Sequence, residues 1–168
     1  MAELQKTLVV LKPDTMGRTI VGEVISRFER AGLHLVGMKL VEANDELLVA
    51  HYEGIGKLGT RKGQKVLDSV MGMMKKSPVL AMVWEGVDVV EFVRKIVGST
   101  EPKSALPGTI RGDFAHMSYG YMDANPGTDL FNLVHASADA EEAALEIPLR
   151  FSDKEIYGHA PLHSKYTR

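Results

Sequence analysis

Apolar and polar positions along this chain follow two periods, and each change of period marks an element. Thr7-Leu8-Val9-Val10-Leu11 is a continuous apolar run stopped by Lys12-Pro13, which reads as a central strand buried on both faces. Val21, Val24, Ile25 and Phe28 then recur at i, i+3, i+4 and i+7, with Glu23, Arg27, Glu29 and Arg30 opposite them. That spacing predicts an amphipathic helix, closed by Gly32. Leu33 to Glu42 predicts a second strand with Val36, Met38 and Leu40 on one face, and Asn44 offers a cap to a helix over Asp45–Glu53. Gly54 to Gly63 carries four glycines and predicts a loop, followed by a helical stripe of Val66, Leu67, Val70, Met73 and Met74 that ends before Pro78.

Val79 to Trp84 is the second continuous apolar run, hence another central strand. Asp88 with Glu91 three residues on has capping-box spacing for a helix that buries Val89, Val90, Val93, Ile96 and Val97. Ser99 to Gly112 reads as a long ordered loop, Phe114 to Tyr121 as the last strand, and Asp123 to Asp129 as a turn-rich segment. Ser137 then caps a helix over Ala138 to Ile147, and the chain from Pro148 reads as an irregular tail. The order β-α-β-(α-α)-β-α-β predicts an α+β protein of ferredoxin-like type, an open antiparallel sheet of about four strands covered by helices.

Composition narrows the function. A chain of 168 residues, 45% hydrophobic, suits one domain over residues 1–168 with a core that needs no disulfide or structural metal. Without cysteine it has no thiolate chemistry. No apolar run approaches the ~20 residues of a membrane span and no basic start leads into an apolar signal core, so a cytoplasmic protein without membrane partners is expected. The net charge of −2 means that a phosphate-binding site must be a local basic cluster rather than a global field.

Two glycine patterns carry no phosphate chemistry. Gly54-Ile55-Gly56-Lys57-Leu58-Gly59 fits G-x-G-x-x-G, but a helix rather than a strand precedes it. Gly17 to Gly22 has Walker spacing and lacks the following Lys-Ser/Thr. Lys62, Lys65, Lys75 and Lys76 read as a solvated helix face, so nucleic acid is not an expected partner.

Lys12-Pro13-Asp14 ends a buried strand, where a side chain is held rigidly at a crevice. Arg94, and Arg111 within Pro107–Phe114, are candidate phosphate ligands, although either alone also reads as a surface salt-bridge former. Among six histidines, His34, His51 and His116 read as structural, and Pro161 separates His159 from His163. His135, in Asn132-Leu133-Val134-His135-Ala136-Ser137, lies just before the expected helix, where amides and the positive dipole end favour an anion. An imidazole there suits a phosphoryl-accepting nucleophile.

Lys12-Pro13-Asp14, Val83-Trp84-Glu85-Gly86, Pro107–Phe114 and Asn132–Ser137, in this order, resemble the nucleoside diphosphate kinases from about Thr7 to Ile147. The resemblance implies that His135 accepts the γ-phosphoryl group of a nucleoside triphosphate, typically ATP, and passes it to a diphosphate in a ping-pong cycle. It implies that Glu146 holds the non-reacting ring nitrogen of His135, with Ser137 beside that carboxylate. It further implies that Lys12 and Asn132 contact the phosphates and ribose, that Arg94, Thr100 and Arg111 bind phosphate, and that Tyr52 stands next to the histidine. Mg²⁺ would ride on the nucleotide phosphates with no all-protein metal cage, and the chain would form a homo-oligomer, a tetramer or hexamer.

Three departures from the family pattern matter. No aromatic residue lies in Gly54–Gln64, where the family carries one that stacks on the base, and this motivates a second reading as a nucleotide-binding domain without efficient turnover. Ala136-Ser137-Ala138 keeps the family's serine and loses its aspartate. The Tyr119–Phe131 segment is longer than the common form and is expected to be a surface excursion.

Overall fold

The computed structural model describes residues 4–167, and the two apolar runs are its central strands. β1 (Leu4–Leu11) and β3 (Val79–Val87) pair antiparallel with Leu8 opposite Val83 and Val10 opposite Ala81. β2 (His34–Val41) lines the far edge of β3, and the short β4 (Val134–Ala136) lines the far edge of β1. The order β2-β3-β1-β4, antiparallel throughout, is the ferredoxin-like arrangement.

Helical segments follow the chain between and beyond the strands. They are α1 (Pro13–Gly17), α2 (Val21–Arg30), α3 (Asp45–Val49), α4 (Leu58–Lys62) and α5 (Gln64–Met74), then α6 (Val89–Val97), α7 (Ile110–Phe114), α8 (Tyr119–Ala124) and α9 (Ala140–Arg150). A terminal turn, α10, spans Ser164–Thr167. Strand side chains alternate between faces. Val9, Leu11, Met82 and Trp84 pack under α2 and α6, and Leu8, Val10, Ala81 and Val83 pack with Leu48, Leu67, Met74, Ile147 and Phe151 on the opposite face.

Several elements differ from the sequence expectation, each for a local reason. A bulge between Leu35 and Gly37 turns Val36 (2% exposed) to the opposite face from Met38 and Leu40, so the three do not share one face. The glycine-rich stretch is not a plain loop: α4 forms within it, and the carboxylate of Glu53 accepts from the Gly59 N–H at 2.6 Å. Asp88 does not close a capping box, because β3 runs to Val87 and Asp88 itself turns the chain at φ +49° with no side-chain cap bond. The loop over 99–112 holds a 3₁₀ turn at Pro102–Ser104 and the start of α7.

The expected last strand, Phe114–Tyr121, is the end of α7 followed by α8; the sheet is completed instead by β4, whose three residues are too few to show a period. Ser137 caps no helix, since α9 begins at Ala140 under Asp139, whose carboxylate accepts from the Glu142 N–H at 2.8 Å. The tail is irregular over most of its described length, but its start is corrected. α9 runs through Pro148 to Arg150 because Ile147, Arg150 and Phe151 are buried on its inner side, where packing overrides proline's missing donor. Beyond it, the Tyr157 N–H donates to Val36 O at 2.7 Å and ties the tail to β2. Among the described residues no helix is long and apolar enough to cross a membrane.

Candidate active site

The site forms where β1 ends and β4 begins. Lys12 follows β1 and its N–H donates to Leu133 O at 2.9 Å; Thr15 Oγ1 donates to the same carbonyl at 2.6 Å. Asp14 Oδ2 accepts from the Leu133 N–H at 2.9 Å. These three bonds hold Leu133 at φ +70°, a left-handed conformation that costs a non-glycine residue about 1–3 kcal/mol, and thereby aim the strand that carries His135.

His135 sits opposite Val10 and so points to the face covered by α9. Its Nε2 lies 3.0 and 3.1 Å from the two carboxylate oxygens of Glu146. Ser137 Oγ donates to Glu146 Oε2 at 2.6 Å and accepts from the Leu8 N–H at 3.3 Å. A carboxylate accepts, so the imidazole proton belongs on Nε2 and the lone pair on Nδ1. Burial, and then the charges of Lys12, Arg150, Arg111 and Arg94, hold the His135 pKa well below the ordinary histidine value. At neutral pH the ring is uncharged and nucleophilic.

Basic groups close the opposite side. Lys12 Nζ donates to Asn132 Oδ1 at 2.7 Å, and burial, then Arg111, bring its pKa down to about 8. Asn132 Nδ2 donates to Thr100 O at 3.0 Å. Arg111 donates to the carbonyls of Asn132 (2.9 Å), Gly98 (2.9 Å) and Val134 (2.5 Å), binding the end of α6 to β4. Its guanidinium keeps further N–H groups for an anion, and burial, then Arg94, push its pKa down to about 10. The turn that presents it is specific for glycine: a Cβ on Gly112 would stand 2.0 Å from Leu106 O. Arg94 and Thr100 are exposed at the rim.

A π-helical turn, Ala50–Ile55, continues α3 and brings two consecutive residues into the interior. His51 (1% exposed) has Nε2 3.4 Å from Glu146 Oε1, and its ring centroid is 4.5 Å from that of His135. Burial pushes the His51 pKa down to about 2. The Tyr52 ring centroid is 6.2 Å from that of His135, and burial raises the pKa of its phenol.

Residues 5–156 match the family described as nucleoside diphosphate kinase. The nucleoside diphosphate kinase of Borreliella burgdorferi is 43% identical over 156 residues, covering 93% of this chain and 92% of the relative. That of Pyrococcus furiosus is 43% identical over 157 residues, covering 94% and 89%. Among solved structures, the Borrelia burgdorferi enzyme as a transition-state mimic with bound vanadate and ADP superposes with TM-score 0.92 at 41% identity, covering 98% of this chain and 96% of that one. The Halobacterium salinarum enzyme in complex with CDP superposes with TM-score 0.82 at 32% identity, covering 98% of each. The chain belongs to the nucleoside diphosphate kinase family.

As a nucleoside diphosphate kinase it moves a terminal phosphoryl group from a nucleoside triphosphate to a diphosphate through a phosphohistidine, with a divalent cation. His51, His135 and Glu146 bring three possible metal donors within 4.8 Å of one another. The set suits a hard, oxygen-seeking divalent cation poorly, because two of its three donors are imidazoles and four basic side chains act on the same pocket.

Sequence reasoning found Lys12, Asn132, Arg111, His135, Ser137 and Glu146, which the fold brings together, and set Tyr52 beside them. The sequence places His135 just before a helix start; the kinase instead holds it in β4, with α9 beginning at Ala140. His51 carries no sequence signal beyond a structural helix position, and only its place on the π-helical turn reveals its approach to Glu146. Arg150 was assigned to the tail, although Ala143, Glu146, Ile147 and Arg150 fall at i, i+3, i+4 and i+7 and could have marked a longer buried face.

Proposed function

We propose that His135 Nδ1 is the atom phosphorylated in this kinase, with Glu146 as its partner. The observation that carries the assignment is the grip of both Glu146 oxygens on His135 Nε2, at 3.0 and 3.1 Å. The Nδ1 lone pair attacks the γ-phosphorus, the bond to the β,γ-bridging oxygen breaks, and the diphosphate leaves with that electron pair. The ring becomes cationic in this step, and the Glu146 carboxylate stabilises it through the retained Nε2–H. In the second half-reaction a diphosphate oxygen attacks the phosphorus and the N–P electron pair returns to Nδ1.

Lys12 and Arg111 are assigned to the transferring phosphoryl group, and Arg94 and Thr100, at the rim, to the other phosphates. Positioning and charge stabilisation by such groups dominate phosphoryl transfer. Asn132, fixed by Lys12, is assigned to the ribose hydroxyl side, Tyr52 packs the histidine, and Ser137 orients Glu146. Mg²⁺ is the proposed cation; bound through the nucleotide phosphates, it would neutralise charge on them. The exposed Met38 and Leu40 on the edge strand β2, at 53% and 58%, support a homo-oligomer, a tetramer or hexamer that light scattering would distinguish. A cytoplasmic location and one kinase domain over residues 1–168 are part of the same proposal.

Incubation with ATP and Mg²⁺ followed by peptide mass spectrometry tests the reading. One acid-labile phosphate on the His135 peptide, removed by added GDP, is the expected result. Phosphate on any other residue, or phosphate that GDP does not remove, overturns it.

A further inference from the structure

Arg150 follows Glu146 by four residues, so both side chains project from one side of α9. They are sealed from water at 6% and 2% exposure. None of Arg150 Nε, Nη1 or Nη2 has a hydrogen-bond partner. A guanidinium in the interior is among the most unfavourable groups to bury, and its placement calls for a counter-charge. The acidic groups acting on it are Tyr52 and Glu146. Tyr52 stays neutral, since burial raises its pKa, which leaves Glu146.

The surroundings of Glu146 point the same way. His135 faces it from β4, Ser137 from the end of β4, His51 from the π-helical turn, and Asp139 acts from the cap of α9. Lys12, at the end of β1, acts on both imidazoles. His51 is neutral and Asp139 repels a second negative charge. Burial raises the Glu146 pKa; His51, the Ser137 hydrogen bond and then Arg150 oppose that rise, and of these Arg150 alone carries a permanent positive charge.

We propose that Arg150 is a positioning residue of this kinase: it is the buried counter-charge of Glu146, and through that carboxylate it keeps the His135 proton on Nε2 and the lone pair on Nδ1. The inference rests on the assignment of His135 and Glu146 above. A protonated Glu146 would donate its O–H to Nε2, drive the ring proton to Nδ1 and remove the attacking lone pair. Arg150 prevents that exchange without touching the nucleotide.

The test is single-turnover formation of phosphohistidine from Mg-ATP as a function of pH, in the wild type, Arg150→Met and Arg150→Lys. Methionine keeps most of the packing but leaves the buried Glu146 carboxylate without its counter-charge, so its thermal stability is expected to fall while the fold is kept. Its acid limb is expected to move up by about one pH unit, and lysine, which keeps the charge, is expected to restore most of that shift. An acid limb for Arg150→Met that superimposes on the wild type overturns the proposal. So does a folded lysine variant no better than methionine. If the methionine variant does not fold, ¹⁵N shifts of the His135 ring decide: the Nε2–H tautomer in wild type and Arg150→Lys at neutral pH supports the proposal, and an Nδ1–H or mixed tautomer overturns it. No phosphate on His135 of the wild type overturns the nucleophile assignment as well, whereas phosphate there with an unmoved acid limb removes the role of Arg150 alone.

Discussion

On the face under α2 and α6, Val9, Leu11, Met82 and Trp84 meet Val24, Phe28, Val93 and Val97, every one apolar. On the face under α9 and the π-helical turn, the same strands share their interior with His51, Ser137, Glu146 and Arg150, all buried. The first face is held by close packing, as in the Phe28–Trp84 ring pair at 5.2 Å. The second gives up apolar contact to fix one imidazole among charges, and it bears the cost of burying them. The first side is held by packing, and the second adds the chemistry to an apolar cluster of its own, so substitutions should separate the two contributions.

The largest separation comes from His135→Ala, which removes the covalent relay and little packing. Exchange between ATP and GDP is expected to vanish while the melting temperature stays close to wild type. Retained ping-pong turnover would break the comparison. On the apolar face, Phe28→Ala is expected to cost about 3–5 kcal/mol of stability, with turnover per folded molecule unchanged. Denaturant titration beside an exchange assay reads both quantities.

Glu146→Gln lies between these cases. The amide oxygen still accepts from Nε2–H, but a hydrogen bond to a charged group contributes about 1.5–3 kcal/mol, so roughly a 10- to 100-fold loss of rate is expected. An unchanged rate in stopped-flow phosphorylation would show that Glu146 is misassigned.

Acid stability sharpens the comparison further. The folded pKa values of His51 and His135 lie below that of an unfolded histidine. The unfolded chain therefore binds more protons below pH ~6.5. That sign means stability is lost as pH falls through that value, approaching about 1.4 kcal/mol per pH unit for each group. His51→Gln should flatten the fall in melting temperature between neutral and mildly acid pH; a slope equal to wild type would refute the contribution.

The smallest effect concerns the base. The α4 region has no aromatic residue, Leu58 already packs against the core, and Thr60 is exposed with its hydroxyl on Glu53. Thr60→Phe is expected to tighten ADP, GDP, CDP and dTDP alike, by about 1 kcal/mol. Calorimetric Kd values indifferent to the change would place the base elsewhere, with Phe114, Tyr119 and Phe131 next to examine.

Legibility in the sequence followed the same division. The long periodic elements β1, α2, β3 and α6 were readable because each buries a face wide enough to imprint its period. The lost elements were short or irregular: β4 with three residues, the bulge at Leu35/Gly37, and the π-helical turn. The site residues were legible by type and motif, and their roles by resemblance to the family.

The sequence by itself determined the α+β class, the strand-helix order as far as α6 and the candidate set around Lys12, Arg111, Asn132 and His135. Only the tertiary structure decided that His135 stands in an edge strand opposite Val10, that α9 continues past Pro148, that His51 stands against Glu146, and that Arg150 is buried on the same side of α9 as that carboxylate. The reason is range. Periodicity and capping act within about one turn or one strand, whereas the protonation of the His135–Glu146 pair is set by groups that chain folding brings together across more than a hundred residues, where burial strengthens every charge it does not eliminate.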